Sequence, residues 1–153
     1  MGIARNPRNG WRAALGVAAL VVATSALAAD PIKIGLVAAL SGPSAQSGEA
    51  ITQGLTIAID EINAAGGLLG RPLALVKRDD ESSPPKGATA ARELIYDEKV
   101  AAIFGGLDTP VSLAIVPIAN KEHVPYMGVW AAGTPITRNG ANPNFASGSR
   151  RST

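Results

Sequence analysis

The stretch Gly105-Gly106-Leu107-Asp108-Thr109-Pro110 joins a glycine turn to a hydroxyl and a helix-opening proline. A turn of this kind presents backbone N–H groups that have no acceptor inside the helix, so an anion such as a carboxylate is held there. Thr109 adds a hydroxyl that either only caps the helix or shares that duty with holding the anion, with Pro110 at the first helical position, where a missing N–H costs nothing. Two acidic clusters, Asp60-Glu61 and Asp79-Asp80-Glu81, suggest acid–base or oxygen-ligand metal chemistry. Asp60 and Glu61 fall on the polar side of a helical repeat, where carboxylates are simply solvated. Asp79-Asp80-Glu81 has no spaced set of further ligands and reads as a polar turn, so no metal is expected. The single histidine, His123, lies at a helix end before Val124-Pro125, which leaves a Ser-His-Asp triad nothing to be built on. The Gly66–Gly70 cluster follows a helix, the wrong context for a dinucleotide loop, and no Walker loop occurs. The chain reads as a non-enzyme without a cofactor.

The elements that position these residues alternate. Ile32–Ala39 is a short apolar run ended by Ser41-Gly42-Pro43, the pattern of a strand entering a turn. Glu49–Ala65 places Ile51, Leu55, Ala58, Ile59 and Ile62 on one face of a helix, and Gly66-Gly67 ends it, because glycine takes the left-handed conformation freely. The pattern repeats with a strand at Leu73–Arg78 and a helix at Lys86–Glu98, whose Ala88, Ala91, Leu94 and Ile95 face inward. A third strand, Val100–Phe104, is followed by a third helix opening at Thr109-Pro110, with Pro117 expected to kink it. Pro125–Val129 is a fourth strand. Strand–helix alternation with short connections predicts an α/β fold, a doubly wound parallel sheet with right-handed crossovers. Ligands in such sheets sit beyond the carboxyl ends of the strands. Three loops are thereby singled out: Leu40–Gly48, Gly105–Thr109 and Trp130–Pro135.

The first residues read as a targeting segment. Arg5, Arg8 and Arg12 precede the apolar run Ala13–Ala23, and Ala26-Leu27-Ala28 supplies the small residues of a cleavage site, so residues 1–28 are expected to be a signal peptide cut before Ala29. The run is shorter than the roughly 20 residues a membrane span needs. Removing those three arginines from 14 basic residues leaves 11 against 12 acidic ones, so the basic character belongs to the leader and a nucleic-acid partner is not expected. The chain has no cysteine, which excludes disulfides, Cys-ligated metal and a lipid-modified start.

The stretches Ile34-Gly35-Leu36-Val37, Leu40-Ser41-Gly42-Pro43 and Asp60 through Leu73 (DEINAAGGLLGRPL), followed by Asp79-Asp80, the helix Ala88–Ile95 and Val124-Pro125, resemble the opening of the periplasmic leucine/isoleucine/valine-binding protein family. The resemblance runs from about Ile32 to Asn144. It implies the first, Rossmann-like lobe of a type I periplasmic binding protein over residues 29–145, incomplete at its end, with residues 146–153 an irregular tail that departs from the family's continuation into a hinge.

The resemblance also implies a site. Thr109, with Leu107 and Asp108 beside it, matches the place of the serine or threonine that binds the amino acid's carboxylate. Trp130, Ala131, Ala132, Gly133 and Thr134 match a segment whose small residue offers a carbonyl to the ammonium and whose threonine binds the carboxylate. Here Gly133 occupies the threonine position unless Thr134 substitutes, and Trp130 either fills the core or walls the pocket. Ser47 stands where the family carries an aromatic over the solute's side chain, which makes the pocket roomier or the solute more polar. The function implied is solute capture for an ABC importer: branched-chain amino acids or related amphipathic solutes, taken in the periplasm and delivered to membrane permease subunits by a protein that is monomeric at full length. The alternative is a ligand-sensing domain of the same fold, such as an amide sensor or receptor ectodomain.

Overall fold

The structure is a computed structural model describing residues 30–137, so the expected leader, 1–28, and tail, 146–153, lie outside the described residues. Four strands, β1 (Ile32–Ala38), β2 (Leu73–Asp79), β3 (Ala102–Gly105) and β4 (Tyr126–Gly128), pair in parallel in the order β2-β1-β3-β4. Between them run α1 (Ala45–Ala64), α2 (Pro84–Arg92) with a π-helical turn at Glu93–Asp97, and α3 (Thr109–Lys121), and a short α4 (Thr134–Thr137) follows β4. The step from β1 to β2 goes one way along the sheet and the steps to β3 and β4 go the other. Right-handed crossovers therefore put α1 on one face and α2 and α3 on the opposite one. This is the expected doubly wound parallel α/β architecture.

The core lies on the α2/α3 face. Val37, Ile103 and Tyr126 project from three strands onto Ala91 and Leu94 below α2 and Val111, Ile115 and Ala119 of α3, all buried. Gly35 completes this packing, since a Cβ there would stand 2.9 Å from Leu94 Cδ1. On the other face the expected inward set of α1 is only partly realised. Ile59 is buried, Ile51 and Leu55 are half-buried, and Ala58 and Ile62 are exposed. Periodicity reports which side of a helix is apolar, whereas burial depends on what lies across from it.

Several boundaries differ from the sequence reading. α1 begins at Ala45, four residues before Glu49, because the N–H groups of Ser47 and Gly48 donate to the Ser44 carbonyl and Gly48, lacking a Cβ, lies against the Ala39 carbonyl. The second helix does not run as one α-helix to Glu98. It passes into the π turn, where Glu98 N–H donates to Glu93 O at 3.1 Å. That turn brings Glu93 and Glu98 to Arg78, at 2.9 and 3.0 Å, and Glu98 also to Lys33 at 2.8 Å. The hydrogen bonds from Lys33 and then Arg78 hold the Glu98 carboxyl below its ordinary range. Gly66 and Gly67 end α1 with φ of +102° and +78°, as expected. Pro117 lies inside α3, where it cannot donate to the carbonyl of Leu113. His123 follows α3 exposed and left-handed, at φ +56°.

Candidate functional site

Strand order reverses between β1 and β3, so the loops leaving these two strands flank the topological switch point. β1 ends in Ala39-Leu40, and the turn that follows is anchored from β2, because Leu40 N–H donates to Asp79 Oδ1 at 2.9 Å. Partial burial pushes the Asp79 carboxyl up, but the Ser41 hydroxyl and the amides of Glu81, Leu40 and Ser41 outweigh it and hold the group below its ordinary range. A groove of about 500 Å³ beside this loop is lined by Leu40, Gln46, Glu49 and Lys77, none of them among the expected site residues. Ser47 sits half-buried in the first turn of α1.

β3 ends in Gly105-Gly106. Gly106 N–H donates to Val37 O at 3.1 Å and adopts φ +71°; a Cβ there would run into the Ser112 and Tyr126 hydroxyls, so only glycine fits. α3 is capped at Asp108, in extended conformation, and not at Thr109, with no side-chain capping hydrogen bond. Thr109 is therefore the first helical residue and Pro110 the second. Leu107, before the cap, is 8% exposed. Among the described residues the amides of Thr109 and Val111 donate to no backbone acceptor, while Ser112 N–H closes the first turn onto Asp108 O at 3.0 Å. Thr109 is half-buried at the rim.

The third loop packs directly onto the second. Ala131, 4% exposed, donates its N–H to Gly106 O at 3.3 Å. A Cβ on Gly133 would stand 2.5 Å from Thr109 Cγ2, so this glycine is what lets the threonine keep its place. Thr134 is exposed as the first residue of α4, and Ile136 seals the turn from below at 1% exposure. Ala132 is exposed and Trp130 is 65% exposed, so Trp130 does not fill the core. The structure thus brings Leu107, Asp108 and Thr109 together with Ala131 and Gly133, while Ser47 stands on the opposite side of the sheet.

Sequence reasoning missed the polar layer beneath this crest. Asp80, expected in a solvated turn, is 1% exposed, and Ser112 is fully buried. The Tyr126 hydroxyl donates to Ser112 Oγ at 2.8 Å, and Ser112 donates to Gly106 O at 3.3 Å. Burial, with a smaller push from the nearby Asp80, drives the Tyr126 hydroxyl up to about 12 against the opposing Ser112 hydrogen bond, so it stays a donor across the physiological range. A tyrosine opening a buried strand was the available signal, since a buried hydroxyl needs a partner. Among the described residues there is no group of three or more His, Cys, Asp or Glu able to hold a metal ion, and no helix long and apolar enough to cross a membrane.

Fold and crest together form a wound parallel sheet whose second and third loops meet beyond the carboxyl ends of its strands. A family model described as "Periplasmic binding protein" matches residues 31–150, and the chain belongs to that family. It is 39% identical over 127 residues to Leu/Ile/Val-binding protein homolog 7 of Brucella suis biovar 1, covering 83% of this chain and 31% of the relative. Among solved structures it is similar to the branched-chain amino acid transporter substrate-binding protein LivJ from Streptococcus pneumoniae in complex with isoleucine, with TM-score 0.69, 32% identity, and 76% and 32% of the two chains covered. It is also similar to an ABC transporter solute-binding protein of R. palustris in complex with benzoate, with TM-score 0.64, 37% identity, and 70% and 29% covered. The chain spans about a third of the length of the relatives it matches.

Proposed function

We propose that this chain is the first lobe of the solute-capture component of an ABC importer, working in the periplasm on branched-chain amino acids or related small amphipathic carboxylates and handing them to membrane permease subunits. The observation that carries the reading is the seat of Thr109: first residue of α3, beside the Gly105-Gly106 turn, its methyl braced by Gly133. There a hydroxyl and two amides without backbone acceptors converge at the switch point, which suits a carboxylate. Ser47, Trp130, Ala132 and Thr134 complete the contact set in this reading, Trp130 as a wall beside the solute's apolar part. The benzoate complex of the R. palustris neighbour and the exposure of Trp130 favour a second solute class, aromatic carboxylates, on the same cradle.

Closure around a solute draws its free energy from both lobes, so this lobe alone offers half the contacts and binds weakly. The test is an amide NMR titration of the whole chain with isoleucine, benzoate and isobutylamine. Shifts at residues 106–111 and 131–134 that appear only at millimolar solute, and only with the two carboxylates, support the reading. Equal shifts with the amine, or tight binding by calorimetry, would sink it.

A further inference from the structure

Two of the chain's acids stand apart from the rest. Asp80 accepts the Ser82 N–H on Oδ1 at 2.8 Å, but its buried Oδ2 has no hydrogen-bond partner. Asp108, at the cap of α3, likewise has a buried Oδ2 without one. Neither enters any ion pair among the described residues, whose salt bridges all involve glutamates.

The groups facing Asp80 bring no positive charge. From β2 comes Asp79 and from the cap of α3 Asp108, both acidic; from β4 comes the Tyr126 hydroxyl, close enough to feel the Asp80 charge. From α2 comes Gly87, whose missing Cβ would lie 3.8 Å from that of Asp80 and 2.5 Å from Val111 Cγ1. Asp80 is thus clamped beside the contact of Gly87 of α2 with Val111 of α3, in a layer with donors for only some of its acceptors. An ionised Asp80 there, unpaired and out of water, would be strongly disfavoured.

We propose that the folded chain keeps a proton on Asp80, the buried carboxyl just after β2 whose Oδ2 meets no donor. The assignment follows from position: Asp80 is 1% exposed, its Oδ1 accepts the Ser82 amide and its Oδ2 accepts nothing among the described residues. Burial first, then the charges of Asp108 and Asp79, raises the Asp80 carboxyl against the single opposing Ser82 amide. Asp80 becomes a positioning residue for the crest: while protonated it lets α2 and α3 close over it, and its ionisation sets an unpaired charge beneath them.

The pH dependence has a definite sign. Because the folded chain holds this proton more tightly than the unfolded one, the stabilisation is complete below the unfolded Asp value, declines as pH rises, and is gone above the folded value. This inference does not depend on the identity of the solute.

The test follows the aspartate carboxyl carbons of the whole 13C-labelled chain by NMR as pH is raised, beside thermal melts of wild type, Asp80→Asn and Asp80→Ala. The Asp80 carbon is expected to titrate above the ordinary carboxylate range. Wild type should lose a few degrees of melting temperature between about pH 5 and about pH 8. Asp80→Asn, a permanent neutral donor, should lose less than wild type over that interval, and Asp80→Ala should melt lower at both pH values. An Asp80 carbon titrating within the ordinary range overturns the proposal, as does a wild-type melting temperature at about pH 8 that rises with millimolar Ca²⁺ or K⁺ where Asp80→Asn does not respond, since a cation would then fill the proton's role. Should Asp80→Asn fail to fold, the carbon titration of the wild type decides alone.

Discussion

The two faces of this sheet are filled to different degrees. Toward α2 and α3, every strand side chain of the central row meets a buried partner, and Leu94, Ile103, Val111 and Ile115 are sealed from water. Toward α1, Leu36 is sealed, but Ile62 and Met127 are about 40% exposed and Ile57 is 60% exposed. One face is a finished core and carries the crest, whereas the other has apolar surface to spare. The stability of the described lobe therefore rests on the first face, and the second is where further chain or another surface has room to pack.

That contrast can be broken by mutation, most severely at its centre. Ile103→Ala should cost about 2–5 kcal/mol in urea unfolding, since it empties a closed site between two helices; a cost under about 1 kcal/mol would mean the first face is no tighter than the second. Gly106→Ala should cost about 3 kcal/mol, combining a left-handed φ with a collision against the Ser112 and Tyr126 hydroxyls, and crest amides should shift throughout residues 106–111. Tyr126→Phe, which removes only the donor to Ser112, should cost about 1 kcal/mol by the same assay. On the α1 side Ile57→Ala should change stability by no more than about 0.5 kcal/mol. A large loss there would show that the exposed face is packed in solution.

Much of this was legible in the sequence, and the failures share a cause. Strand order of appearance, parallel pairing and the glycine stop after α1 follow from local patterns, and those patterns held. The first turn of α1 was missed because Ser44–Gly48 has no apolar rhythm and is held by the end of β1. The π turn was missed because a single extra residue leaves hydrophobic spacing almost unchanged. Asp80 was misread because its surroundings are assembled from Asp108 and Tyr126, remote in sequence, and nothing within a few residues of it announces a buried acid. At the candidate site, the glycine turn ahead of α3 was legible from residue type and order, but the cap falls on Asp108 and not on Thr109. The outward turn of Trp130 is likewise set by Ala131, its neighbour, being the residue that is buried.

The contact between Gly133 and Thr109 has a consequence for anyone wishing to redirect this lobe toward another solute. With no slack between them, the second and third rim segments are held as one unit, so in the proposed role this jaw would meet a guest already ordered. Enlarging position 133 would dislodge the hydroxyl instead of reshaping the cavity. Room for redesign lies at 130 and 132, whose side chains face outward and can be exchanged without unseating the jaw.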